Sequence, residues 1–192
     1  MTSKPYFNRN AGFTLTELIV VMVIIGILAA VGIPSFKYVT ASNRMATEVN
    51  ALLGDLQFAR SLAVKQGLAV TVCTSTDGAT CAGTSANTWQ NGWIIFLDPN
   101  GNHVVDTGAG EQVVKVQPKF SGTDTFTGGG SLTPFTYATF NRMGYAPTGS
   151  TTTINISLHD STNNTQWIRC LAVNPIGAAV TERYGAGTPA CS

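Results

Sequence analysis

Glu17 stands directly before a run, Leu18 to Phe36, that contains no charged side chain. A carboxylate placed in lipid costs roughly 2.5 to 3.5 kcal/mol on insertion scales, and such groups normally have a partner. Glu17 has no basic residue at helical spacing: Phe13 and Thr14 precede it, and Val20 and Val21 follow. A cut between Gly12 and Phe13 would leave a free α-amino group about one helical turn away. That cation could pair with Glu17 of the same chain or of a neighbour. The chemistry in view is a peptide cut followed by an ion pair.

The remaining candidates are weaker. Four cysteines fall in two widely separated pairs, Cys73 with Cys81 and Cys170 with Cys191. An even count behind a membrane-targeting start favours disulfides in an oxidising compartment. Zinc fits poorly, since neither pair has C-x-x-C spacing and neither His103 nor His159 lies near one. Along the loop from Asp98, the residues Asp98, Asn100, Asn102 and Asp106 resemble the oxygens of a calcium site. However, His103 stands where such a loop needs Gly, and Ala109 where it needs a bidentate Glu, so a polar turn is the favoured reading. No G-x-S-x-G, no H-E-x-x-H and no carboxylate cluster occurs. An enzyme is therefore not expected, and neither a metal nor another cofactor is implied.

These residues need elements to hold them. The apolar run is long enough for a helix of about 20 residues to span a bilayer. Lys4 and Arg9 precede it and the next basic residue is Lys37, so the N-terminal flank should stay cytoplasmic and the rest be exported. An ordinary secretory signal places its small-residue cleavage site after the apolar run. Here Ala11-Gly12 lies before it, so a cut would remove only the basic leader and keep the helix. Past Pro34, which kinks or locally unwinds a helix, Met45, Val49, Leu52, Leu56, Ala59 and Ala63 continue at helical steps. Arg44, Glu48, Asp55 and Lys65 fall off that stripe, and Gly67 reads as the stop.

Strands are expected at Leu68 to Cys73, Trp93 to Leu97, Val113 to Gln117, Phe135 to Phe140, Ile154 to Leu158 and Gln166 to Val173, with Gly, Asn, Asp and Pro turns between them. The Gly/Ser/Thr-rich stretch from Ser121 to Thr133 reads as a mobile loop or a wide hairpin. The fold class is α+β: one long N-terminal helix packed on an antiparallel β-sheet. Aromatic residues such as Trp89, Trp93 and Tyr137 read mainly as filling for a small β core.

With 11 basic against 10 acidic residues in 192, the net charge is +1, and no bulk basic field points to nucleic acid. Removal of residues 1 to 12 takes away Lys4 and Arg9, leaving 9 basic residues against 10 acidic ones.

The stretch "AGFTLTELIVVMVIIGILAAVGIPSF" resembles the class III signal of type IV pilins and pseudopilins. The resemblance implies cleavage between Gly12 and Phe13 by a prepilin peptidase, N-methylation of Phe13, use of Glu17 in filament assembly, and a helix-kinking role for Pro34. "DLQFARSLAVKQGLAVTVCTSTDG", "GWIIFLDPNGN" and "RCLAVNPIG" resemble the GspH/FimT branch of that superfamily. This branch includes minor pilins of type IV pili and a minor pseudopilin of type II secretion. The implied organisation is a leader at 1–12, a membrane-spanning and assembly helix at 13–36, its amphipathic continuation at 37–66, and a β-rich periplasmic domain at 67–192. The implied partners are other pilins, the peptidase and the inner membrane, and the implied destination is the pilus or pseudopilus. Some members bind DNA through a Gly-Arg-x-Arg motif. This chain reads Gly177-Ala178-Ala179-Val180 there, leaving Arg169 and Arg183 as weak substitutes beside Glu182.

Overall fold

A computed structural model describes residues 12–83, 87–129, 135–146, 153–187 and 191. The chain divides into two compact units, Met1–Ala41 and Ser42–Ser192. Helix α1, Leu15–Gln66, contributes residues to both.

Within the first unit the helix runs without a break through Pro34. Its large apolar side chains are exposed throughout, from Leu15 to Val39. It is long and apolar enough to cross a membrane, and no residue of its most apolar window is buried.

In the second unit α1 becomes a packing element. Met45, Val49, Leu52, Leu56, Ala59 and Ala63 are all buried, as their spacing requires of one helical face. Gly67 ends the helix: its φ is 68° and its N–H donates to the Ala63 carbonyl at 2.9 Å. A left-handed residue at that position is the common helix stop, and glycine takes it without steric cost.

Two four-stranded antiparallel sheets follow. The first has the order β3 (Val113–Pro118), β2 (Gly92–Leu97), β1 (Val70–Thr74), β5 (Tyr137–Phe140). The second has the order β4 (Thr125–Gly129), β6 (Ile154–His159), β7 (Arg169–Val173), β8 (Ala179–Arg183). The main core joins the helical stripe to both sheets: Val70, Val72, Trp93, Ile95 and Phe140 from the first, Phe126, Ile156, Leu158, Leu171 and Val173 from the second.

Two expectations need correction. The antiparallel strands form two sheets, and β8 is a strand where the sequence suggested none. The stretch Ser121 to Thr133 contains β4, in which Phe126 is buried between exposed Thr125 and Thr127; residues 130–134 lie outside the described ones. That period-two pattern was masked by the glycines beside it. β8 buries none of its residues, so it lacks the apolar alternation that marks a strand. Finally, Glu48 and Asp55 are buried rather than off the packed face. Asp55 accepts a hydrogen bond from Trp93 Nε1 at 2.8 Å and pairs with Lys115 Nζ, which supplies the partners that a buried carboxylate requires.

Candidate functional site

The start of α1 is built from Thr14 and Glu17. Thr14 Oγ1 accepts the Glu17 N–H at 3.3 Å, and the Thr14 carbonyl accepts the Leu18 N–H at 3.2 Å. Thr14 thus acts as the N-cap, and the carboxylate of Glu17 falls in the first turn, where the helix dipole favours negative charge. Thr-x-x-Glu is a capping-box pattern. It was present in the sequence and gives Glu17 a second reason for its position. Phe13 is 84% exposed, and a Cβ added at Gly12 meets nothing within 4 Å. Among the described residues, no packing requires glycine there.

The stretch of α1 from Leu18 to Phe36 is therefore uncharged, its large side chains are exposed, and one carboxylate, Glu17, precedes it near the positive pole of the helix. It offers apolar area to lipid or to other helices, and a single anion to a cation that the described residues do not supply.

Both cysteine pairs are bonded. Cys73 and Cys81 close a loop at a Cα separation of 5.6 Å, and Cys170 and Cys191 tie the C-terminal segment to β7 at the same separation. Inside the first loop, Asp77 accepts hydrogen bonds from Thr80, Ala79 and Ser75. Led by the Thr80 hydroxyl, these bonds hold its carboxyl well below the usual range.

The polar loop after β2 turns its oxygens inward. Asp98 accepts Thr71 Oγ1 at 2.6 Å and the N–H groups of Asn102 and His103 at 3.1 and 3.2 Å. Asn100 accepts Asn102 N–H, Asn102 accepts Val104 N–H, and Asp106 accepts from Asn102 Nδ2. These oxygens act as the hydrogen-bond acceptors of an Asx-type turn. No group of three His, Cys, Asp or Glu residues suited to a metal occurs among the described residues.

Arg169 and Arg183 are brought directly opposite one another by the β7–β8 register. Arg169 donates to the carbonyls of Gln166 and Ile168 at 3.0 and 2.9 Å, and so is partly engaged within its own strand entry. The Gly177-Ala178-Ala179-Val180 segment forms the turn into β8, with Asn174 N–H on the Ala178 carbonyl at 3.0 Å. Gly177 has a φ of 79°, and a Cβ there would lie 2.0 Å from the Gly144 carbonyl oxygen. The glycine is thus fixed by a close backbone approach.

Sequence reasoning missed a charged cluster in which Arg44 and Glu48 of α1 meet Asp124, just before β4. Arg44 forms a two-pronged ion pair with Asp124, at 2.6 and 2.8 Å, and Glu48 lies buried beside it. Burial, reinforced by the Asp124 charge and opposed by Arg44, pushes the Glu48 carboxyl up to about 7. Its Oε2 has no hydrogen-bond partner among the described residues.

Residues 48–177 match the family described as type II transport protein GspH, and residues 7–33 match the prokaryotic N-terminal methylation motif. The type IV major pilin protein PilA of Myxococcus xanthus is 52% identical over 46 residues, covering 23% of this chain and 21% of that protein. The type IV narrow pilus major component PilA5 of Thermus thermophilus is 37% identical over 84 residues, covering 43% of this chain and 72% of that protein. The chain thus spans only about a fifth of the first of these relatives and most of the second. In fold it is similar to crystal structures of the type IV minor pilin FimU of Pseudomonas aeruginosa. TM-scores are 0.57 and 0.54 at 18% identity, covering 78% and 77% of this chain and 96% and 99% of those chains.

Proposed function

Because the chain belongs to the type II transport protein GspH family and carries a prokaryotic N-terminal methylation motif, we propose that it is a minor pilin of a type IV pilus. In this reading it is made as a precursor and built into the filament or its tip complex. The observation that carries the reading is the exposed, uncharged length of α1 headed by Gly12, Phe13 and Glu17.

A prepilin peptidase cuts between Gly12 and Phe13, and Phe13 is N-methylated. Gly12, which no packing demands, then answers to the peptidase. The helix at 13–36 holds the subunit in the inner membrane, its continuation at 37–66 leads out, and the domain at 67–192 stands in the periplasm. During assembly the helix leaves lipid for a bundle of other pilin helices. Both surroundings are apolar, so the transfer itself supplies little hydrophobic drive. The new term is electrostatic: Glu17 meets the Phe13 amine of a neighbour. A subunit in the wrong register leaves that carboxylate unpaired in an apolar bundle, at a cost of roughly 3 to 5 kcal/mol. The pair therefore selects the axial register.

The family description itself favours a second reading, a minor pseudopilin of type II secretion, which needs the same N-terminal device. Deletion of the gene separates the two: loss of twitching with secretion intact supports the pilus role, and the reverse outcome contradicts it. A DNA receptor is a third reading, supported only by the facing Arg169 and Arg183. It requires a DNA mobility shift with the full chain at low salt, where phosphate contacts are strongest. Failure of that shift removes it.

A further inference from the structure

The first sheet has a second face. Along β1 and β2, alternate side chains leave the main core, and Cys73, Ile94 and Phe96 are buried together in a separate cluster with Cys81, Val105, Val113 and Tyr137 packed against them. Between the disulfide loop and the loop after β2 lies a cleft of about 240 Å³. Its walls include the Cys73–Cys81 disulfide, Thr80, Asn102, His103, Val104 and Tyr137, and among the described residues no Asp, Glu, Lys or Arg lines it.

Both loops are held from within, one by Asp77 and the disulfide, the other by the buried carboxylate of Asp98. A cleft fixed in this way is formed before any ligand arrives, so binding need not order its walls. His103 adopts a left-handed backbone, φ 63°, and its ring stacks on Tyr137 with centroids 3.9 Å apart and planes 25° from parallel. Strained non-glycine residues of this kind tend to collect at ligand clamps. Among the described residues, neither the His103 ring nitrogens nor the Tyr137 hydroxyl has a hydrogen-bond partner.

The lining combines an aromatic pair, valine and disulfide surface, and hydrogen-bonding groups. Among the described residues, a charged ligand would find no carboxylate, ammonium or guanidinium here. A neutral ring with one C–H face and several hydroxyls meets both needs: the face lies on aromatic and aliphatic surface, and the hydroxyls reach imidazole and phenol. We propose that this cleft is a binding site for a neutral sugar ring, either a free monosaccharide or the end of a surface glycan.

The test uses the full-length chain in a detergent without a sugar headgroup. Methyl glucoside, galactoside and mannoside form one arm, and trisaccharides ending in the same rings form the other, both followed by saturation-transfer NMR. At least one ring should bind saturably. His103→Gly keeps the left-handed backbone and removes the imidazole; Tyr137→Phe keeps the stacked ring and removes only the hydroxyl. Each variant should weaken binding by about fivefold or more, the effect of one lost hydrogen bond. Binding of the methyl glycosides supports recognition of the free ring. Binding confined to the trisaccharides supports capture of a glycan end. No saturable binding in either arm overturns the proposal, as does unchanged binding in both variants when melting curves show them folded.

Discussion

Glu17 and Glu48 lie on the same helix, and their surroundings give them opposite tasks. Glu17 is exposed in the first turn and, in the proposed assembly, meets the Phe13 amine of a neighbouring subunit. Glu17→Ala should leave membrane insertion and leader cleavage intact, while the subunit largely disappears from sheared filaments on immunoblots. Wild-type amounts there would remove the ion-pair account. Glu48 is buried, with its carboxyl raised from 4.5 to about 7, so between those values the folded chain holds a proton that the unfolded chain has released. Stability should therefore fall as pH rises through that window, by about 1 to 3 kcal/mol. Glu48→Gln should flatten the slope and stabilise the domain above pH 7, measured by denaturant melts across pH. A mutant as pH-dependent as wild type would contradict the assignment. Neither Glu48 nor Asp55 was legible as buried, because local spacing shows only that a residue is charged. The partners that permit burial of Asp55 come from Trp93 and Lys115, 38 and 60 residues away.

At the scale of elements, legibility followed periodicity. The stripe from Met45 to Ala63 was readable because one helical face must be apolar wherever it is covered. Six strands were readable from apolar runs between turn residues. β4 was hidden by its glycines and β8 by its exposure, since a strand that buries nothing leaves no pattern. The disulfides act on this scale too. Their sequence separations are 8 and 21 residues, so loop-closure entropy assigns about 2.6 kcal/mol to the first and about 3.4 kcal/mol to the second. The Cys170→Ser/Cys191→Ser double variant should therefore lower the melting temperature more than Cys73→Ser/Cys81→Ser. Cys170 and Cys191 are also buried with Ile168, which adds to the difference. The opposite order would mean that the short loop carries strain or packing that chain entropy does not describe.

The whole molecule divides its work between two units. Ser42–Ser192 satisfies its own apolar surface in a core shared by helix and two sheets. Met1–Ala41 does the reverse, leaving its described apolar side chains uncovered. An almost uncharged balance, +1 over the chain, leaves no long-range field to guide partners, so recognition must rest on local features. The proposed N-terminal signal, Gly12, Phe13 and Glu17, can be read from sequence because its residues are neighbours in the chain, whereas the Thr14 cap emerged only from the structure. The cleft beside His103 was not legible, because it exists only where the fold brings β5 and two loops together.

The most direct test of the central claim is mass spectrometry of the N-terminal peptide from filaments sheared off cells that express the native chain. The account predicts a peptide beginning at Phe13 and carrying one N-methyl group. Its absence from the filament fraction, or a chain there that still begins at Met1, would contradict it.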